Sequence, residues 1–103
     1  MKRHGSHEMA RMKEALYLGL AKGDMGIREA TRQMRLILGM TQKAYAKKVA
    51  HISPRILSEF ENGVGNPTLA TLQKIASPFG LKVTFLPPEP WRLRVKEPIE
   101  ARK

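Results

Sequence analysis

The sequence predicts a mostly α-helical protein followed by one short β-strand, and three observations carry that prediction. Apolar residues recur at three- and four-residue spacing over most of the stretch from Met9 to Ala76. Helix-start residues (Thr41, Ser53-Pro54, Thr68) and helix-stop residues (Gly39, Asn62-Gly63) divide that stretch into short segments. Only Leu81-Lys82-Val83-Thr84-Phe85-Leu86 alternates apolar and polar over its first five residues, as a strand does.

Residues 1–26 read as an N-terminal arm and an extra amphipathic helix. Met1 to Ser6 is expected to fray. From His7 to Lys22, Met9, Met12, Leu16 and Leu20 recur on one face, where methionine fills irregular gaps. His4 and His7 lack companion ligands, so no metal site is expected. Gly23-Asp24-Met25-Gly26 turns the chain into a helix from Ile27 to Leu38, with Ala30, Met34, Ile37 and Leu38 inward.

The stretch from Met40 to Gly63 organises the rest. Thr41 can cap a helix that carries Tyr45, Ala46 and Val49 on one face. Ala50-His51-Ile52 breaks the period, and Ser53-Pro54 restarts a helix with a cap residue and a first-turn proline. Leu57 and Phe60 point inward with Ile52, leaving Arg55, Ile56, Ser58 and Glu59 outward. Two such helices, the second presenting short polar and basic side chains, are what a helix-turn-helix needs to enter the major groove. Thr68 then caps a further helix with Leu69, Leu72, Ile75 and Ala76 as its buried face. Pro78 ends or kinks it, and Phe79 folds back onto the core.

Charge agrees with a polyanionic partner. The chain of 103 residues carries a formal net charge of +10, which favours nucleic acid over a membrane surface. Between Glu29 and Glu59 there is no acidic residue, while Arg32, Arg35, Lys43, Lys47, Lys48 and Arg55 all lie there. Cysteine is absent, so disulfides, thiol chemistry and cysteine-type zinc sites are excluded. No apolar run approaches the roughly 20 residues of a membrane span, and no secretion signal is visible. Neither a phosphate-cradling glycine loop nor a nucleophile paired with a base is present, so no enzyme and no cofactor are expected.

Three spaced elements, TQKAYA from Thr41, ISPRILSEFENG from Ile52 and NPTLATLQKIA from Asn66, resemble the Xre/Cro-type helix-turn-helix repressors. The resemblance covers residues 27–80 and implies a five-helix, lambda-repressor-like domain. The connection Ala50-His51-Ile52 is one residue longer than that family's usual turn and lacks its glycine. The resemblance also implies that Arg35 pairs with Glu61 of the ENG signature, a bidentate contact in which a guanidinium fork fits a carboxylate. It makes Gln42 the usual backbone anchor.

Within that frame, Thr41, Gln42 and Lys43 sit at a helix N-terminus, where free N–H groups favour a phosphate. Lys47 and Lys48 add non-specific attraction. Ser53, Pro54, Arg55, Ile56 and Ser58 open the reading helix. Arg55 is the candidate for direct readout of guanine. Ile56 either presses on a thymine methyl or belongs to the core.

The strand, residues 81–86, has no partner in the chain, and an unpaired edge invites another copy. Leu81, Val83 and Phe85 are therefore expected to form a two-fold homodimer, which suits an operator with palindromic half-sites. Residues 87–103 form a proline-rich tail, expected to be flexible. Its Trp91 is a candidate anchor for a partner, and Arg92, Arg94 and Lys96 are a candidate supplementary DNA arm.

Helices followed by one dimerising strand are similar to the HipB-like antitoxins. That resemblance implies a cytoplasmic, nucleoid-associated repressor of its own operon that holds a HipA-type kinase toxin. A stand-alone or phage-type Xre regulator, a protein-interaction adaptor with no DNA role, and a basic membrane-surface binder are the competing readings.

Overall fold

The computed structural model describes residues 4–94, and its helices follow from local signals in the sequence. Helix α1 spans Ser6–Lys22 and ends at Gly23, whose φ of 79° only glycine adopts without strain. Leu16 is buried, and Met9, Met12 and Leu20 pack against the core beside it. Tyr17 Oη donates to the Phe79 carbonyl (2.8 Å), joining α1 to the far end of the fold. Of the arm expected to fray, residues 1–3 lie outside the described residues, and His4 is held: its Nε2 donates to the Leu36 carbonyl (3.1 Å).

Helix α2 spans Ile27–Ile37 and buries Ala30, Thr31, Met34 and Ile37. Thr31 is tolerated inside because its hydroxyl donates to the Ile27 carbonyl at 2.8 Å. Helix α3 opens as one α-turn over Gln42–Ala44 and widens into a π-helical segment over Tyr45–Ala50. That widening absorbs the residue that made the connection to the next helix look too long. Tyr45, Ala46 and Ala50 are buried as a result, and His51 closes the segment in the left-handed conformation (φ 57°) where glycine was missing.

Helix α4 spans Pro54–Glu61, with Ser53 accepting from the Arg55 amide at 3.2 Å and proline in the first turn. Its apolar back, Leu57 and Phe60, is completely buried. Gly63, at φ 77°, makes the left-handed stop. Helix α5 spans Leu69–Ala76, capped by Thr68, whose hydroxyl accepts from the Thr71 amide at 3.1 Å. Ile75 and Ala76 are buried, but Leu69, expected on that face, is 68% exposed. It is the first residue of α5 and projects beyond the core. A 3-10 turn with Pro78 follows over Ser77–Phe79. Residues 27–80 thus hold four helices and a tight turn, where five helices were expected.

Beyond Gly80 the structure corrects two expectations. Among the described residues there is no strand, and residues 81–88 have no regular secondary structure. A strand needs a paired neighbour; here the Gln73 amide acts as one, donating to the Leu81 carbonyl and accepting from the Val83 amide (both 3.1 Å). Leu81 and Val83 are half-buried, while Phe85 is 98% exposed. The tail does not stay irregular either: helix α6 spans Glu89–Arg94. Proline in a first turn removes no helical bond, and the Pro88 carbonyl receives the Trp91 and Arg92 amides. Arg92 ties α6 back to α1 by donating to the Lys22 carbonyl at 2.6 Å. Lys96 and the rest of the expected tail from 95 to 103 lie outside the described residues.

Candidate nucleic-acid interface

Three helices meet at one carboxylate. Arg35, at the end of α2, engages Glu61, at the end of α4, through both arms of its fork: Nε to Oε2 at 3.1 Å and Nη2 to Oε1 at 3.0 Å. Gln42, at the start of α3, donates to the same Oε1 at 3.1 Å. The two charged side chains are 13% and 1% exposed. Arg35 also donates to the Met40 carbonyl at 3.3 Å, so the guanidinium braces the chain entering α3. A charged pair shielded this well resists sliding, and α4 is fixed in angle against α2 and α3.

From the other side α4 is held by its C-terminal carbonyls. Arg28 Nε donates to the Phe60 carbonyl (2.9 Å), and its guanidinium lies 5.2 Å from the centre of the Phe60 ring. Below, Tyr45 Oη donates to the Ile75 carbonyl at 2.9 Å, and burial pushes the Tyr45 hydroxyl up to about 12. The base of α4 is therefore buried and held from two sides.

The outward face of α4 is where the readout candidates lie. The Arg55 side chain is 86% exposed, and its Nε donates to Glu59 Oε2 at 3.1 Å one turn later. Ile56 is 40% exposed, which places it on this face rather than in the core. Ser53 is exposed, whereas Pro54 and Ser58 are half-buried on the flank. Ser58 was expected to face fully outward; it lies four residues from Pro54 and three from Glu61, on the side turned toward the neighbouring helices.

Beside α4, the start of α3 offers Thr41 and Lys43, with Lys47 and Lys48 further along, and all four are exposed. Thr41 Oγ1 accepts from the Ala44 amide at 3.1 Å and keeps its own proton to donate. Gln42 is half-buried and turned toward Glu61, a role the sequence reading did not assign to it. Each helix contributes a different chemistry: a guanidinium and an aliphatic side chain from α4, ammonium groups and a helix start from α3. Such a surface suits phosphate contacts flanking a groove-entering helix.

Of the residues singled out beyond this surface, Trp91 is 57% exposed with the Arg94 guanidinium 4.6 Å from its ring. Arg92 is taken up by the carbonyls of Lys22 and Pro87. Sequence reasoning passed over two contacts. The Arg55–Glu59 pair was visible as a four-residue spacing; the Gln42–Glu61 contact, between residues distant in sequence, left no such mark. Among the described residues, no helix is long and apolar enough to cross a membrane.

A family model described as helix-turn-helix matches residues 32–86, more than half of the chain. No curated protein and no solved structure matches it. The matched span takes in α3, α4 and the Arg35–Glu61–Gln42 cluster, and the chain belongs to the Xre/Cro-type helix-turn-helix family of DNA-binding regulators.

Proposed function

We propose that this protein is a dimeric, sequence-specific transcriptional repressor that reads its operator with α4. One observation carries the reading: α4 is locked from behind by Leu57, Phe60 and the Arg35–Glu61–Gln42 cluster, while Arg55 stands 86% exposed on its front. Arg55 contacts base edges, with Ile56 and Ser53 beside it. Thr41, Lys43, Lys47 and the start of α3 contact phosphates, and Gln42 braces the helix. Catalysis is no part of this proposal.

The homodimer rests on exposed apolar surface. Phe85 is 98% and Leu86 49% exposed, side by side, and covering them with a second copy would remove that apolar area from water. Two copies would set their α4 helices for half-sites about 34 Å apart. Selection from a random duplex pool tests the readout, and sedimentation of the free protein tests the dimer. Recovery of an inverted repeat supports the reading; a pool without enrichment favours the adaptor.

The toxin–antitoxin reading is supported by Trp91. A large aromatic side chain, 57% exposed and stacked with Arg94 on a short helix outside the reading surface, suits insertion into a partner's pocket. In this form the protein represses its own operon and holds a HipA-type kinase. Co-purification with the product of the neighbouring gene tests it, and loss of that complex in Trp91→Ala is the expected result.

A further inference from the structure

We propose that Glu59 is the positioning residue for Arg55, and that the half-site read by α4 contains a guanine whose recognition depends on Glu59. This deepens the reading of α4 as the recognition helix and rests on it. A guanidinium carries five N–H donors. Glu59 Oε2 takes the one on Nε, at 3.1 Å. Among the described residues the two Nη groups of Arg55 have no hydrogen-bond partner, so the terminal fork is left for another acceptor pair. Guanine presents such a pair, O6 and N7, in the major groove.

Glu59 is suited to hold the fork in place. Its side chain is 41% exposed, and the loop after α4 lies against it: a Cβ at Gly65 would sit 3.7 Å from Glu59 Oε1. The carboxylate is therefore backed on one side and presents Oε2 to the arginine. A long side chain ordered before binding loses less freedom when it meets a base. The exposed pair contributes little to folding, so stability does not explain a carboxylate on this surface. It also stands on the face that would approach phosphates, where a negative charge weakens indiscriminate binding.

These two effects of Glu59 act in opposite directions on two kinds of DNA, and that separates positioning from a structural role. The test is selection from a random duplex pool, followed by affinity for the selected site and for a copy with adenine in place of the guanine. Wild type, Glu59→Ala, Glu59→Gln and Arg55→Lys are compared, with thermal melts as a control on folding. Wild type is expected to prefer guanine by about tenfold or more. Glu59→Ala should lose most of that preference while binding random duplex at least as tightly as wild type. Glu59→Gln, which keeps an acceptor without the charge, should recover part of the preference, and Arg55→Lys should resemble Glu59→Ala.

An unchanged guanine preference in Glu59→Ala overturns the proposal, as does equal weakening toward selected and random DNA. So does a selected site lacking any guanine that Arg55 needs, which leaves the recognition role of α4 standing. A wild-type pool with no enrichment overturns both.

Discussion

Arg35 and Glu61 form a two-pronged ion pair at 3.0 and 3.1 Å, one end on α2 and the other on α4. The carboxylate is almost fully shielded, with Gln42 as its third donor. Removing either partner leaves the other charge buried. Arg35→Ala and Glu61→Ala are each expected to lose about 3–5 kcal/mol in urea melts. The double variant should lose clearly less than the two losses added together. A loss below about 1 kcal/mol would be that of a surface pair.

His51 occupies a left-handed conformation that costs an L-residue roughly 1–2 kcal/mol. Its side chain is exposed, so little packing is lost on replacement. His51→Gly should stabilise the protein by up to about 1 kcal/mol, the gain being reduced by glycine's greater freedom when unfolded. His51→Val should destabilise it. If both variants melt like wild type, the strain assigned to the end of α3 is absent.

The Tyr45 hydroxyl titrates near 10 in the unfolded chain and at about 12 when folded. The folded state therefore keeps a proton that the unfolded state gives up between those values. Stability should be indifferent to this group below pH 10, fall as pH rises above it, and level off beyond about 12. The total is on the order of 2–3 kcal/mol. Tyr45→Phe removes that dependence, and it costs about 1–3 kcal/mol at neutral pH because the Ile75 carbonyl loses its donor. An alkaline limb that persists in Tyr45→Phe would assign it to other groups.

The caps at Thr41, Ser53-Pro54 and Thr68 were legible because a cap is decided by residues three positions apart or fewer. The buried backs of α2 and α4 were legible for a related reason: period alone selects Met34 and Ile37, or Leu57 and Phe60. The π-helical part of α3 was not, since nothing in YAKKVA differs from an ordinary helix. It takes up the extra residue before Ser53, and His51 closes it in the left-handed conformation. The segment 81–86 has the alternation of a strand, but alternation supplies no partner, and Gln73 takes the place of one. Prolines at 87, 88 and 90 looked like a break, although proline at a helix start is no obstacle. On the reading surface, residue types pointed to Arg55 and the four-residue spacing offered Glu59 as its partner, whereas Gln42 and Glu61, nineteen residues apart, are brought together only by the fold.

Phe85 is the most exposed large apolar side chain described. Phe85→Ala is expected to shift sedimentation toward monomer and to weaken binding to a two-half-site operator far more than to a single half-site. Identical sedimentation of variant and wild type would remove Phe85 from the interface.

Phosphate contacts make affinity fall with salt. Roughly four contacts per protomer are expected, each adding about −0.9 to the log–log slope. Lys43→Ala and Lys47→Ala should each flatten the slope by nearly that amount for selected and random DNA alike. A nearly flat wild-type titration would contradict the phosphate assignment.

Dimethyl sulfate footprinting on a selected duplex tests the role of α4 most directly, because the reagent methylates guanine N7 in the major groove, where Arg55 is expected to sit. Wild type should protect guanines in two clusters about one helical turn apart, and Arg55→Ala should lose the protection while keeping its fold and most of its affinity for random DNA. Bound duplex whose guanines remain fully reactive, or protection unchanged in Arg55→Ala, would contradict the account.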